Sequence, residues 1–380
     1  MSASAETSLD AEWGRCRWVW NECVATSRRA HLAGEECGPA RLGRMLTGWR
    51  GAHEWLGAGA SAPQQQTVRA FGQARAKALM DVKSRAPMSR RRGMPRFKLR
   101  HRARPTLNYT RPAFRIKDNR LLLVGGISLT VVWSRPLPGI PSSVRIYRDT
   151  LGHWYASFAV EAVVQPLPST GRSIGVDWGV REIATTSSDA YDLPHPEYGA
   201  KAVAALAHRQ RAMARRRPEP GGSASRSYLA VRSQVAKLHK KVARQRRDTA
   251  RKWAKRLVRE FDSLAVEDFR PKFLASSMLA RKAADAAITT TKAELIHMAR
   301  KHCRDLRLVN PANTTADCSR CGARAKPAPT LSDRTYDCSH CGYTGARDKN
   351  SALVMLVRAG FDPAGAEGGR PDRPPADQAA

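Results

Sequence analysis

The stretch C-S-R-C-G (318–322), with its counterpart C-S-H-C-G (338–342), decides how the rest of the chain is interpreted. Sixteen residues separate Cys321 from Cys338, and two C-x-x-C pairs at this spacing supply four thiolates for one tetrahedral Zn²⁺. A glycine follows each pair and permits the tight turn of a zinc knuckle. Two disulfides or a thioredoxin-type redox pair are the alternatives, but neither explains two matched knuckles. The predicted ligands of one structural zinc are Cys318, Cys321, Cys338 and Cys341.

Three acids stand at positions where a carboxylate is unusual. Asp177 interrupts the apolar run 173–180, Glu267 closes the apolar run 263–267, and Asp348 opens a predicted helix that ends near Ala359. Burying a carboxylate costs several kcal/mol unless a cation compensates it. A turn cap or a salt bridge is the ordinary alternative for each acid alone, and a helix N-cap is the alternative for Asp348.

The three acids together favour a shared cation site. Carboxylates from two strand ends and a helix start can hold two Mg²⁺ ions, or Mn²⁺ in their place, for in-line phosphodiester hydrolysis. Such chemistry requires no catalytic His, Ser or Cys. The neighbouring Asp262 and Asp268 are weaker candidates, because Asp268 is expected on the opposite strand face from Glu267.

Length and composition limit the class of protein. A chain of 380 residues holds two or three domains and contains no apolar run of membrane-spanning length. Residues 1–10 have neither the basic nor the apolar part of a signal peptide, so we expect a cytoplasmic protein. The four cysteines outside the knuckles are expected to be reduced.

The charge is strongly and unevenly basic. The net charge is +33, of which residues 81–120 carry +12 and residues 201–260 carry +16. This excess predicts a polyanionic partner. An anionic membrane is the alternative, but the basic windows lack a matching face of large apolar residues. We therefore expect nucleic acid and no membrane partner.

One basic segment, 85–105, is punctuated by Pro and Gly and has no periodicity. We interpret it as a loop that grips phosphates and becomes ordered on binding, with a solvated linker as the alternative. The preceding helix is expected to contribute contacts as well. The predicted nucleic-acid contacts are Gln65, Gln66, Arg69, Arg90, Arg91, Arg92, Arg96, Lys98 and Arg100.

The hydrophobic pattern divides the chain into a helical and β-rich first part and an α/β second part. In the first part, Val68, Phe71, Ala78 and Leu79 are expected to face inward from the third helix. The predicted helices of this part are 11–35, 39–49 and 64–82, and its predicted strands are 121–124, 128–133, 143–148 and 154–163. The second part is predicted as strands 173–180, 183–186, 263–267 and 306–309 with helices 198–217, 226–260, 277–302 and 348–359. Residues after Gly360 are predicted to be disordered.

With these motifs in this order, the chain resembles the TnpB family. The resemblance covers residues 11–360 and rests on four ordered motifs. They are G-V-D-W-G around Asp177, A-V-E-D-F around Glu267, the cysteine ribbon, and R-D-K-N-S-A around Asp348. Supporting stretches are R-W-V-W-N-E at 17–22, P-R-F-K at 95–98 and W-S-R-P-L-P at 133–138.

The resemblance implies an α/β multidomain protein. Its first part, 1–171, would be a helical recognition region (about 11–105) followed by a small, wedge-like β-barrel (about 106–171). Its second part, 172–359, would be an RNase H-like (RuvC) nuclease domain with inserted helices and a four-cysteine zinc ribbon at about 312–346. Residues 360–380 would be the disordered tail.

The resemblance also implies an activity. Asp177, Glu267 and Asp348 fall on the catalytic, metal-binding positions of an RNA-guided DNA endonuclease of an insertion sequence. Its partners would be a guide RNA derived from the transposon end and double-stranded target DNA beside a short motif, with a monomer in a prokaryotic, nucleoid-associated setting. The alternatives are a nuclease-silent guide-directed or zinc-ribbon DNA-binding regulator, and a transposase that moves DNA itself.

Overall fold

The computed structural model describes residues 2–88, 91–100, 102–161, 164, 166–219, 222–269, 279–330 and 332–363. The chain forms two compact units, Met1–Ala162 and Val163–Ala380. The predicted contact Arg90 and most of the predicted tail lie outside the described residues. Across the described part of the chain, no helix is both long enough and apolar enough to cross a membrane.

The first unit begins with helices. They are α1 (Ala3–Leu32), α2 (Pro39–Ala52), α3 (Glu54–Gly57) and α4 (Ser61–Lys83). The helix α1 starts well before the predicted residue 11 because the Ser2 hydroxyl caps it, accepting a hydrogen bond from the Ala5 amide at 3.2 Å. Val68, Phe71 and Ala78 of α4 are buried as predicted. The expectation for Leu79 is wrong, since it is 42% exposed.

Six strands follow in the first unit. They are β1 (Thr106–Thr110), β2 (Phe114–Lys117), β3 (Arg120–Leu123), β4 (Ile127–Thr130), β5 (Pro141–Arg148) and β6 (Trp154–Val160). Two antiparallel three-stranded sheets result, in the orders β1-β5-β6 and β2-β3-β4. Both sheets share one apolar core, which includes Tyr109, Leu121 and Ile146, with Leu9 and Trp13 of α1. The sequence pattern did not predict β1 or β2.

The second unit is built on a mixed sheet of five strands. They are β7 (Ser173–Trp178), β8 (Glu182–Thr186), β9 (Leu193–Pro194), β10 (Ser263–Glu267) and β11 (Asp305–Val309). Their order is β11-β10-β7-β8-β9, in which β10 runs parallel to both β7 and β11 while β8 is antiparallel to β7. The apolar strands that begin at 173 and 263 are confirmed; β10 ends at Glu267, and β7 ends at Trp178, one residue after Asp177.

Helices cover both faces of this sheet. They are α5 (Tyr198–Arg215), α6 (Arg226–Glu260), α7 (Ala280–Ala286), α8 (Ile288–Lys301) and α9 (Arg347–Ala359). On one face, Trp253 and Leu257 of α6 and Leu295 of α8 pack against the strands. On the other face, Met355 and Leu356 of α9 pack on Ala265. The second unit therefore has three layers, with the sheet between two layers of helices.

Two predictions at the end of the chain need correction. The single helix predicted over 277–302 is broken, because Ala287 adopts a left-handed conformation with φ of 52° between α7 and α8. The prediction of disorder directly after Gly360 is wrong for Phe361, which packs against the α9 core. Residues 364–380 lie outside the described residues.

Candidate metal centres

The sheet register places Asp177 and Glu267 side by side. Val176 pairs with Val266 across the parallel strands β7 and β10, so the next residue of each strand is the acid. Successive strand residues face opposite sides, and both acids therefore lie on the face that α9 covers. The carboxyl ends of neighbouring parallel strands are a common place for binding sites in α/β proteins.

Helix α9 brings Asp348 to the same place, and Gly175 makes this possible. A Cβ on Gly175 would lie 1.9 Å from the carbonyl oxygen of Ala352, so only glycine lets the helix backbone lie this close to β7. Gly175 is two residues before Asp177 on the same strand face, and Ala352 is one helical turn after Asp348. The close contact thus sets the distance between the helix acid and the strand acids.

The strand acids are electrostatically coupled. Burial raises the pKa of Asp177 well above its ordinary value, and the negative charges of Glu267 and Asp348 raise it further. Burial also raises the pKa of Glu267, although hydrogen bonds from the Trp178 amide and from Asp177 oppose this rise. The amide of Trp178 lies 3.2 Å from Glu267 Oε2. Both shifts favour a protonated Asp177 beside Glu267, with the proton between the two carboxyl groups.

Asp348 has a different neighbour. Arg347 is buried, and its Nε and Nη2 lie 3.1 and 3.0 Å from Asp348 Oδ1, while its Nη1 donates to the Thr330 carbonyl oxygen at 2.7 Å. The N-cap position of α9 belongs to Ala346, so the alternative of Asp348 as the helix cap does not hold. The side chain of Asp348 is 43% exposed and remains open to a ligand.

The four predicted cysteines form a compact cluster. Their sulfur atoms all lie within 4.8 Å of one another, and no other group of ligand atoms among the described residues, the three acids included, is as compact. The Sγ atoms of Cys318 and Cys341 are 3.8 Å apart, and those of Cys321 and Cys338 are 3.6 Å apart. A tetrahedral metal site with four sulfur ligands requires four thiols gathered around one point in this way.

The two knuckles repeat one backbone design. The amides of Gly322 and Gly342 each donate to the carbonyl oxygen of the first cysteine of the pair at 2.9 Å. Both glycines adopt positive φ, 74° and 70°, as the turn requires. Backbone N–H groups of Cys341 and His340 lower the pKa of Cys338 to about 6, which favours the thiolate form that binds metal. The hairpin of β12 (Thr335–Asp337) and β13 (Thr344–Ala346) holds the second knuckle.

The basic segment 91–100 is docked on α1 rather than free. The side chain of Asn21 accepts from the Lys98 amide at 2.7 Å and donates to the Lys98 carbonyl oxygen at 3.2 Å. The indole of Trp20 donates to the Arg96 carbonyl oxygen at 2.8 Å. The expectation that this part becomes ordered only on binding is therefore not met.

The predicted contacts in the first unit fall into two groups. The ammonium of Lys98 lies 3.7 Å from the ring centre of Trp20, and burial lowers its pKa to about 8. It therefore holds the segment instead of projecting into solvent. The other predicted contacts of this segment are exposed: Arg91, Arg92, Arg96 and Arg100. On α4, Gln65 and Arg69 are exposed along an open groove beside α2, and Gln66 is half-buried.

Sequence reasoning gave no role to three residues of the second unit. Gly175 had a signal, since a glycine inside an apolar strand marks a close backbone approach. Arg347 and Asn350 stand on either side of Asp348 in the sequence, but no local pattern foretells which groups they contact. Asn350 is fully buried at the start of α9, where its side chain contacts the first knuckle.

Comparison with known proteins shows the family of the chain. Residues 157–278 match the OrfB_IS605 family, described as "Probable transposase", and residues 289–355 match the Cas12f1-like TNB domain. A protein of Streptomyces pristinaespiralis named "Putative RNA-guided DNA endonuclease" is 30% identical over 375 residues, 96% of this chain and 89% of that protein. The chain belongs to the TnpB family.

Further likenesses fit the TnpB family. The Escherichia coli K12 protein "Putative RNA-guided DNA endonuclease InsQ" is 25% identical over 365 residues, 90% of this chain and 86% of that protein. The fold is similar to that of Cas12f1 in a solved complex with sgRNA and target DNA, at a TM-score of 0.54 and 13% identity. That likeness covers 92% of this chain and 82% of the Cas12f1 chain. It concerns the mixed helix and strand fold alone.

Proposed function

We propose that this chain is an RNA-guided DNA endonuclease of an insertion sequence. The convergence of Asp177, Glu267 and Asp348 at one edge of the sheet is the observation that carries the proposal, because the coupling of the first two is unfavourable unless protons or cations are present. Membership of the TnpB family and the basic surface support the same conclusion.

The second unit is proposed to be an RNase H-like (RuvC) domain. The strand order β11-β10-β7-β8-β9, with the first acid on the central strand and the second on its parallel neighbour, supports this fold. In the first unit, two sheets around one core support the wedge-like barrel. The proposed domain boundaries remain 1–171 and 172–359, while the two compact units meet between Ala162 and Val163.

The carboxylate set suits hard divalent cations, for which oxygen ligands are preferred. Two Mg²⁺ ions, or Mn²⁺, held by Asp177, Glu267 and Asp348 would supply an activated water and charge stabilisation at the leaving oxygen. Glu267 is oriented by the Trp178 amide at Oε2. Burial favours the protonated form of Asp177, so a cation held there would displace a proton, and the Arg347 guanidinium lies 3.0 Å from Asp348.

The cysteine cluster is proposed to hold one structural Zn²⁺. Four sulfur ligands leave no open position, so the site stabilises the ribbon and takes no part in hydrolysis.

The proposed partners are a guide RNA derived from the transposon end and double-stranded target DNA, bound by a monomer in a prokaryotic cytoplasm. The four exposed arginines of 91–100 are suited to phosphate contacts, and Gln65, Gln66 and Arg69 to contacts along the α4 groove. Base pairing to the guide would select the sequence, while the protein would hold the backbone.

The decisive test compares cleavage by the wild-type protein with cleavage by Asp177→Ala, using the RNA that co-purifies from the native locus and a matching DNA. We expect no cleavage by the variant, with RNA binding unchanged. Asp305→Ala is the matched control. Asp305 begins β11 and forms an ion pair with Arg307, and it is not one of the three proposed metal-binding acids. Cleavage by Asp177→Ala above about a tenth of wild type would contradict the metal-site assignment. A wild type that binds but never cuts would favour the nuclease-silent regulator.

A second experiment separates the two groups of basic residues. Arg96→Ala is expected to reduce the slope of log affinity for RNA against log salt by about one, because one phosphate contact is lost. Lys98→Met is expected to leave this slope unchanged and to lower the thermal stability of the protein, since the ammonium is engaged with Trp20. Equal slopes for wild type and Arg96→Ala would remove Arg96 from the phosphate contacts.

A further inference from the structure

Asn350 connects the helix of Asp348 to the first cysteine knuckle. Its side-chain oxygen accepts a hydrogen bond from the Ser319 amide at 2.9 Å, and its side-chain nitrogen donates to the Asp317 carbonyl oxygen at 2.8 Å. These two backbone groups stand on either side of Cys318. One side chain therefore holds the backbone on both sides of a cluster cysteine.

The geometry of a helix places this contact opposite the acid. Residues two apart on an α-helix differ by about 200° in direction, so Asp348 faces the sheet acids while Asn350 faces the knuckle. Asn350 is fully buried, and its donor and acceptor are both satisfied, so no other amide orientation would fit these partners.

Other contacts tie the same ribbon stretch to α9. The guanidinium of Arg358 and the carboxylate of Asp317 are 2.5 Å apart, and the Arg347 amide donates to the Arg334 carbonyl oxygen at 2.8 Å. These contacts fix where the ribbon and the helix lie. Only Asn350 joins the first turn of α9 directly to the backbone at Cys318 among the contacts described.

We propose that Asn350 is a positioning residue through which the state of the cysteine cluster sets the position of Asp348. The inference rests on the proposed function, because it takes the cysteines as zinc ligands and Asp348 as a cation ligand. When the cluster is loaded, Asp317 and Ser319 are held in place around Cys318, and Asn350 holds the first turn of α9 against them. When it is empty, that anchor relaxes and the third carboxylate loses its fixed position.

The test measures Mn²⁺ binding to the full chain without nucleic acid, before and after zinc is removed with a zinc-selective chelator. In the wild type, removal of zinc is expected to weaken Mn²⁺ binding by about tenfold or more, the usual effect of losing an orienting contact behind a ligand. Asn350→Ala is expected to keep one zinc per chain and to bind Mn²⁺ as weakly as the zinc-free wild type does. Removal of zinc from this variant is expected to weaken its Mn²⁺ binding little further. This non-additivity is the signature of coupling.

Tyr336→Phe is the matched control. The Tyr336 hydroxyl donates to the Ala316 carbonyl oxygen at 3.1 Å within the same ribbon, so its loss weakens the ribbon without breaking the link at Asn350. This variant is expected to retain wild-type Mn²⁺ affinity and the wild-type response to zinc removal. If Asn350→Ala does not fold, Asn350→Asp serves in its place, because it keeps the acceptor for Ser319 and loses the donor to Asp317.

Two results would overturn the inference alone. The first is that the Asn350 variant binds Mn²⁺ with wild-type affinity. The second is that removal of zinc weakens Mn²⁺ binding as much in that variant as in the wild type. If Asp177→Asn binds Mn²⁺ as tightly as the wild type does, the proposed carboxylate site and this inference are both overturned. The wild type and Asp177→Asn thus separate the two failures.

Discussion

The two candidate metal centres of the second unit differ in how closely their ligand atoms gather. The four sulfur atoms gather within 4.8 Å, whereas the three acids do not reach this compactness. An unperturbed thiol is mostly neutral near pH 7, so turns can bring thiols together at little cost even with Cys338 as a thiolate, but carboxylates repel one another. Asp177 and Glu267 therefore share a proton, and Asp348 pairs with Arg347. The comparison teaches that thiols can gather closely around one point, whereas the acids need protons or counter-ions to stay near one another.

The largest effect is expected from breaking the sulfur site. Cys338→Ser should abolish zinc binding and with it the folded ribbon, because zinc-binding free energy is folding free energy in such sites, on the order of 10 kcal/mol. Zinc content and soluble yield provide the measurement. Cys303→Ser is the control, since Cys303 is exposed and lies outside the cluster. A Cys338→Ser protein that folds normally and has merely lost cleavage would contradict a structural role.

The next effect concerns the contact that brings the acids together. Gly175→Ala places a Cβ 1.9 Å from the Ala352 carbonyl oxygen, so α9 must move away from β7. We expect a loss of about 3 kcal/mol in the free energy of unfolding and about a hundredfold loss of cleavage, because a shift near 1 Å misplaces Asp348. Denaturant unfolding and single-turnover cleavage measure the two losses.

Gly48→Ala provides the control for that substitution. Gly48 lies within α2 with nothing close to its added Cβ, so alanine should stabilise the protein by up to about 1 kcal/mol. If Gly175→Ala proves as harmless as Gly48→Ala, the close packing of α9 on β7 does not position Asp348.

A smaller effect, of opposite sign, is expected at the acid site. Asp177→Asn should stabilise the cation-free protein by about 1–3 kcal/mol at neutral pH, because an amide removes the charge and can donate to Glu267. It should also remove the stabilisation that Mg²⁺ gives the wild type. Thermal unfolding with and without Mg²⁺ measures both effects.

Asp262→Asn is the matched control with the reverse expectation. Burial would raise the pKa of Asp262, but hydrogen bonds from Ser169, Thr170 and Gly171 outweigh it and lower the pKa. Here the charged carboxylate is favoured, so the amide should destabilise the protein. If Asp177→Asn destabilises the protein, the carboxylates of Asp177 and Glu267 do not repel each other as proposed.

The smallest effect is a pH dependence. Since the folded-state pKa of Asp177 is raised above 3.8, its protonated form adds stability that is complete below pH 3.8 and is lost as pH rises through the raised value. The advantage of Asp177→Asn over the wild type should therefore grow above pH 3.8, by at most about 1.4 kcal/mol per pH unit, and then level off. Unfolding free energies of both proteins across pH test this. A difference that does not change with pH would contradict the shared proton.

Much of the second unit could be predicted because its elements carry strong periodic signals. The helix at 226–260 and the strand at 263–267 have the predicted bounds, since a long apolar stripe and a short apolar run between polar ends are distinctive. The strands β1 and β2 were missed because T-L-N-Y-T and F-R-I-K, although they alternate, are short and carry only two apolar residues each. The break at Ala287 has no local signal, because alanine favours a helix.

The candidate site was predictable in its residue types and less so in its contacts. Acids at strand ends and paired cysteines are visible in the sequence, because each violates the pattern of its surroundings. The pairing of Arg347 with Asp348 and the contact of Asn350 with the knuckle depend on packing between distant segments. Only three-dimensional packing decides which partner such side chains meet.

The docking of segment 91–100 on α1 has a consequence for affinity. Fixing the backbone of a residue costs roughly 1–2 kcal/mol in conformational entropy. Where Asn21 and Trp20 already hold this stretch, the loss is incurred when the chain folds. An incoming polyanion then meets arginines on a preorganised track, and more of the contact energy remains as binding strength.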